Sequence, residues 1–194
     1  MKFFGLISNN AHNKSSKGIS NLHIESLTVL CGALNNLLTL VNTLFMSVPK
    51  SQVESICRNQ YPPRPCGGGW YLIDSKRCAK YVKLSKTYQR AEVIQTPAPV
   101  PTLGGHLVSM HNKDDYSNVL CLALRTTNDR KVFWTGAYYS YAWRDRSPFN
   151  FNRWFVGQPD KLVDRCVQMN YGDWGSWDNT KCWSKKFFVC ARAI

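Results

Sequence analysis

The fold is decided by four short strings, which read FWTG at 133–136, FNFNRW at 149–154, GQPD at 157–160 and WDN at 177–179. Three of the four strings contain aromatic residues, and the chain around them is rich in Gly, Asn and Asp. This composition is typical of short strands that are joined by loops. The C-terminal part of the chain is therefore predicted to consist of strands and loops.

A hairpin is predicted upstream of these strings. Residues 70–73 and 77–81 read as two short strands around a turn at 74–76. Cys66 precedes the first strand, and Cys78 lies within the second. A disulfide between them would therefore clip the hairpin.

Two helices are predicted between the hairpin and the strings. Residues 85–95 have a helical composition, and the alternating prolines of 96–102 end this helix because proline supplies no backbone donor. The second helix covers 113–126 and begins with Asp114 and Asp115, which suit the positive end of a helix dipole. Helices followed by a strand-and-loop region indicate the α+β class.

The N-terminal third is predicted to lie outside the folded domain. Residues 1–48 form an extension, within which 27–48 is uncharged and is interpreted as a cleaved signal segment. An uncleaved anchor of a type II membrane protein and an amphipathic helix are the alternatives. The prolines of 49–65 predict an irregular linker, so the domain is expected to span 66–194.

Eight cysteines without any close CxxC pair indicate disulfides and not a zinc site. An oxidising compartment follows, and we expect a secreted, extracellular protein. The formal net charge of +13 suits anionic partners, but the cations are scattered and no basic helix or nucleic-acid motif accompanies them. We therefore expect no nucleic-acid partner and a membrane contact only if 27–48 is an anchor.

The strings above, together with GGHLVSMH at 104–111 and FVC at 188–190, resemble the C-type lectin domain family. The secreted fish lectins and the related type II antifreeze proteins are the most similar members. The resemblance implies a C-type lectin-like fold with two helices, short antiparallel sheets, a long loop region and disulfide staples. It covers the whole of 66–194, apart from the proline-rich insertion at 96–102.

The resemblance also implies a calcium-dependent carbohydrate site. Calcium prefers hard oxygen ligands. Five side chains with such oxygens stand at the family's ligand positions: Gln158, Asp160, Asp164, Asp178 and Asn179. The last two are in the reverse of the family's Asn-Asp order. The resemblance implies that the peptide bond before Pro159 is cis. In the family, two vicinal hydroxyls of the sugar replace calcium-bound water. The Gln-Pro-Asp order resembles the version that binds galactose.

Other functions are weighed against this one. A calcium-independent domain that recognises a protein ligand, as a signalling receptor, and an ice-binding protein are the alternatives. Glycan binding would serve innate recognition, and a homo-oligomer is compatible with the sequence. We expect no enzyme, because the four histidines lie in the extension or in 104–111 and no catalytic motif is present.

The disulfide pattern departs from the family at one position. The resemblance implies a Cys166–Cys182 bridge and a bridge from Cys190 to the first helix, but 88–95 contains no cysteine. Cys57 and Cys121 are a further candidate pair, and the partners of Cys31 and Cys190 stay open.

Restoring the missing partner should stabilise the protein. We expect the deletion of 96–102 combined with Gln95→Cys to let Cys190 form a bridge and to raise stability by about 2–4 kcal/mol, because a disulfide constrains the unfolded chain. Thermal unfolding with and without reductant measures the effect. The same deletion with Gln95→Ser is the matched control, and equal melting temperatures for the two oxidised proteins would contradict the prediction.

Overall fold

The computed structural model describes residues 47–93, 104–138, 142–160 and 165–194. Segment 27–48, apart from its last two residues, and insertion 96–102 lie outside this part, so their assignments stay predictions. Among the described residues, no helix has the length and apolar character needed to cross a membrane.

The described chain alternates helices with one mixed sheet. The helices are α1 (Lys50–Asn59), α2 (Tyr88–Val93) and α3 (Lys113–Thr127). The strands are β1 (Pro65–Gly67), β2 (Trp70–Leu72), β3 (Arg77–Lys86), β4 (His106–Leu107), β5 (Phe133–Tyr138), β6 (Ala142–Trp143), β7 (Cys166–Met169), β8 (Trp177–Thr180) and β9 (Lys186–Ala193). The sheet runs β1-β2-β3-β9-β5-β7-β8, while β4 pairs with β9 and β6 with β5. This architecture confirms the α+β class.

The hairpin β2–β3 forms as predicted, and the Cys66–Cys78 disulfide clips it. Strand β3 is longer than expected, because its last residue, Lys86, still pairs with Lys186 of β9. Helix α2 consequently begins at Tyr88, and the prediction that it begins at residue 85 is wrong. Extended pairing with the central strand β9 outweighs the helical composition of Ser85 and Lys86.

The interpretation of 49–65 as an irregular linker is wrong for its first part. Helix α1 occupies Lys50–Asn59 and buries Val53 and Cys57, which lie four residues apart on one helix face. A disulfide joins Cys57 to Cys121 of α3 and makes α1 part of the domain. Of the four prolines that suggested a linker, Pro49 immediately precedes the helix and the other three come after its end.

Helix α3 begins at the predicted residue because of local capping. The side chain of Asn112 accepts hydrogen bonds of 2.9 Å from the backbone N–H groups of Asp114 and Asp115. Asp115 is only 2% exposed, and its carboxylate pairs with Arg77 of β3 at 2.8 Å. This ion pair joins the helix to the hairpin strand.

The core is rich in aromatic side chains and consists of two clusters of buried residues. Trp134 and Trp177 are fully buried, whereas Trp154 is half-buried and packs with its ring centroid 5.9 Å from that of Trp177. Gly136 of β5 needs its missing side chain, because a Cβ atom there would collide with the backbone carbonyl of Leu107 in β4. The FWTG string therefore combines a buried ring with a close backbone approach.

Asp145, in the loop after β6, is held in its charged form by hydrogen bonds. Burial would raise the pKa of Asp145, but hydrogen bonds from the hydroxyls of Ser109 and Ser147 and from the backbone N–H of Ser147 lower it below the ordinary value of 3.8. Ser109 also accepts a 2.7 Å hydrogen bond from Arg77. The carboxylate thus connects the loop after β6 to the ion pairs of β3 and α3.

This lowered pKa predicts the direction of acid sensitivity. A carboxyl group whose pKa is lower in the folded than in the unfolded protein stabilises the fold above the unfolded pKa, and the stabilisation is lost as the pH falls through the folded pKa. Asp145→Asn should therefore lower the unfolding free energy by about 1–3 kcal/mol at pH 7 and flatten its decline below pH 4. Urea unfolding at pH 7 and pH 3 measures both effects. Asp129→Asn is the control: a hydrogen bond from Lys131 lowers the pKa of Asp129 as well, but this carboxylate is exposed, so its loss should change the unfolding free energy less than the loss of Asp145.

Candidate functional site

Backbone hydrogen bonds hold the GQPD loop against strand β8. The N–H of Trp177 donates to the carbonyl of Arg153 at 2.7 Å, and the N–H of Phe155 donates to the carbonyl of Trp177 at 2.9 Å. The N–H of Gln158 then donates to the carbonyl of Phe155 at 2.8 Å and turns the chain toward Pro159. The loop therefore takes its position from the backbone of one buried tryptophan.

The ring of Trp177 lies in an aromatic cluster beneath this loop. Its centroid is between 5.8 and 6.4 Å from those of four aromatic side chains: Trp143, Phe149, Phe151 and Trp154. Three of these side chains belong to the 149–154 string, which leads directly into the loop. Burial of aromatic surface thus fixes the segment that leads into the GQPD loop and the start of strand β8, which together carry the candidate ligands.

Gln158, Asp160 and Asn179 come together in one hydrogen-bond network, which we call the amide–carboxylate cluster. The backbone N–H of Asp160 donates to the side-chain oxygens of Gln158 and Asn179, both at 2.9 Å. The side-chain amide of Asn179 donates to the carbonyl and to the carboxylate of Asp160, both at 3.1 Å. The Gln158–Pro159 peptide bond is cis, as the resemblance implied.

Asp178 makes a different set of contacts. Its carboxylate accepts a 2.6 Å hydrogen bond from the buried side-chain amide of Gln168, the residue that faces it on β7. Neighbouring residues of a strand point to opposite faces, so Asp178 and Asn179 extend in different directions from β8. Asp164 lies outside the described residues. The structure thus brings three of the five predicted side chains into one cluster.

Gln168 was not predicted from the sequence, although it is the one polar side chain in the otherwise apolar strand β7. Asp178 also lies close to Lys186: burial lowers the pKa of the Lys186 amine, and the negative charge of Asp178 opposes this shift. The carboxylate of Asp178 is therefore embedded between a buried amide and a half-buried ammonium group.

The oxygen atoms of the amide–carboxylate cluster are of the type that calcium ions bind. Calcium takes six to eight oxygen ligands, and the cluster offers one carboxylate and two amide oxygens, with both amide oxygens directed at the same backbone nitrogen. Within the described residues, no group of three or more His, Cys, Asp or Glu side chains is placed to hold a metal. Further ligands would have to come from Asp164, backbone carbonyls or water.

The chain matches the family model described as Lectin C-type domain over residues 101–192. It is 32% identical over 131 residues to the C-type isolectin Sp-CL4 of Scorpaena plumieri, covering 65% of this chain and 88% of that protein. It is also 30% identical to the galactose-specific lectin nattectin of Thalassophryne nattereri, covering 66% of this chain and 81% of that protein. The type-2 ice-structuring protein of Hemitripterus americanus is 29% identical, with coverages of 69% and 78%.

Solved structures share this fold. A Ca2+-dependent type II antifreeze protein in its Ca2+-free form superposes with a TM-score of 0.57 at 26% identity, covering 66% of this chain and 99% of that one. A calcium-independent type II antifreeze protein superposes with a TM-score of 0.55 at 24% identity, covering 70% of this chain and all of that one. Both relations to calcium are thus found on this architecture.

The hydrogen bonds of Asn179 should control the order of the loop. Asn179→Ala removes its bonds to Asp160, so we expect a loss of stability of about 1–3 kcal/mol and faster hydrogen exchange at the Asp160 amide. Exchange measured at that amide by NMR tests this. Asn152→Ala, at an exposed position of the preceding segment, is the control. Equal exchange rates in the two variants would show that the cluster does not order the loop.

Proposed function

Because this chain belongs to the family of C-type lectin domains, we propose that it is a secreted protein that binds carbohydrate in a calcium-dependent manner at the amide–carboxylate cluster. The observation that carries the proposal is the convergence of Gln158, Asp160 and Asn179 on one loop and one strand. The Cys57–Cys121, Cys66–Cys78 and Cys166–Cys182 disulfides support an extracellular location.

The side chains of the cluster suit the recognition of sugar hydroxyls. Each amide can donate and accept a hydrogen bond, whereas the carboxylate of Asp160 only accepts. A bound calcium ion would supply coordination positions for two vicinal hydroxyls. Asp160 is exposed at the surface, so that a ligand can reach it. Binding and orientation are what this chemistry performs, and we propose no catalytic step.

Galactose-type glycans are the proposed ligands. The order of amide and carboxylate around Pro159 determines where hydrogen-bond donors and acceptors meet the sugar, and this chain places the amide first. Nattectin, which is 30% identical, is a galactose-specific lectin. Exchanging Gln158 and Asp160 for Glu and Asn reverses this order and should change the sugar preference.

Calcium-independent protein recognition is the second candidate. The observation that favours it is that the side-chain oxygens of Gln158 and Asn179 already accept hydrogen bonds from the Asp160 backbone. An ion would have to compete with these bonds. Ice binding is less favoured, because the net charge of +13 and the exposed Lys181 beside β8 are unlike a weakly charged ice-binding face.

Two variants test the proposed function by calorimetry with calcium and then with galactose and mannose. Asp160→Ala should abolish calcium and glycan binding together, because it removes the carboxylate of the cluster. Gln158→Glu combined with Asp160→Asn should keep calcium binding and shift the preference from galactose toward mannose. Calcium should also raise the melting temperature of the unmodified protein, since a ligand that binds only the folded state stabilises it.

Asp129→Ala, at an exposed carboxylate outside the cluster, is the control and should leave both affinities unchanged. Glycan binding that survives a chelator, or the absence of heat and of a melting shift at millimolar calcium, would favour the calcium-independent candidate instead.

A further inference from the structure

Five lysines and an exposed tryptophan lie on segments that meet where β3 ends, β9 begins and the turn at 181–184 packs against the chain after β3. We call this surface the lysine patch; its lysines are Lys83, Lys86, Lys181, Lys185 and Lys186. Lys83 and Lys86 lie near the end of β3, and Lys186 opens β9. The patch is separate in its residues from the amide–carboxylate cluster.

The fold places these lysines side by side. Lys86 and Lys186 are direct partners across the β3–β9 pair, an arrangement of like charges that costs free energy. The turn is closed by a 3.0 Å hydrogen bond from the N–H of Ser184 to the carbonyl of Lys181. A second 3.0 Å bond, from the N–H of Tyr88 to the carbonyl of Cys182, joins the turn to the chain just after β3. The charges are therefore held on a fixed frame.

The exposed lysines of the patch have no acidic partner at the surface of the described part of the chain. The acidic side chains on adjoining elements are Asp178 and Glu92, which are 6% and 5% exposed. Asp178 accepts from Gln168, and Glu92 pairs with His106. The half-buried ammonium group of Lys186 lies 4.8 Å from the ring centroid of Trp134 and feels the charge of Asp178. The positive field that reaches solvent and attracts anions therefore comes mainly from the exposed Lys83, Lys181 and Lys185.

Two large apolar side chains accompany the charges. Trp183 is 67% exposed and Leu84 is 54% exposed. The ammonium group of Lys181 lies 5.8 Å from the ring centroid of Trp183, within the range of a cation–π contact. The indole ring of Trp183 thus has one ammonium group over a face, and its exposure leaves apolar ring surface open to solvent.

We propose that the lysine patch binds an acidic polysaccharide, with its sulfate or carboxylate groups on the lysines and a sugar ring against Trp183. Such a ligand uses both features of the surface, because its anionic groups alternate with apolar sugar faces. An anionic membrane fits less well: five lysines stand against two apolar side chains, and Lys86 and Lys186 are half-buried on paired strands. The binding requires neither calcium nor Asp160.

Heparin is the probe, and the full chain is titrated with it in the presence of a chelator. Lys181→Gln combined with Lys185→Gln should weaken heparin binding at least tenfold and should reduce the slope of log affinity against log salt by about two, one for each lost contact. Lys76→Gln combined with Lys113→Gln removes the same charge from exposed positions elsewhere and should weaken binding less than twofold. Trp183→Ala should lower affinity several-fold and leave the salt slope unchanged.

Two results would overturn the inference. Equal losses in the two double variants would mean that heparin senses only the net charge, and binding to phosphatidylserine vesicles but not to heparin would identify the surface as a membrane contact. Galactose titration in calcium is run on the same variants. If the lysine variants keep galactose binding and lose heparin binding, the protein has two separate sites. If the unmodified protein binds heparin but not galactose, the result contradicts the proposed function and leaves the heparin inference standing.

Discussion

The packing of Trp177 is the constraint on which the half of the domain that carries the candidate site depends. Its ring is fully buried among four aromatic side chains, and its backbone N–H and carbonyl both bond to the segment that leads into the GQPD loop. Loops that carry ligand-binding groups need such external support, because they form few regular backbone bonds of their own. A change at Trp177 would displace the loop and strand β8 together, since one residue positions both.

The other half of the domain is fixed by charge and by covalent bonds. Arg77 contacts Asp74 and Asp115, and the Cys57–Cys121 bridge ties α1 to α3. Buried ion pairs tolerate little rearrangement, because a partner left alone in a dry environment is costly. This half therefore acts as a rigid base, and the amide–carboxylate cluster lies at the opposite edge of the sheet, against β8.

Local signals in the sequence were sufficient for the hairpin, for the start of α3 and for the Cys66–Cys78 bridge, because each of them depends on residues that are close in the chain. They failed for α1, whose Val53 and Cys57 gain their meaning only from contact with α3, and for the start of α2, where pairing of Lys86 with β9 extends the strand. In both cases a contact between distant residues outweighed a local preference.

The sequence by itself determined the family and the fold through the order of its short strings, because the aromatic ones supply buried rings, such as Trp134 and Trp177, and Gly136 allows a close backbone approach. It also named the five side chains of the candidate site, three of which the structure brings together. Only the tertiary structure decided how those residues are used. Adjacent residues on β8 point to opposite faces, so Asn179 bonds to Asp160 while Asp178 bonds to Gln168. Likewise, the pairing of β3 with β9 assembled the lysine patch from residues that are about a hundred positions apart in the chain.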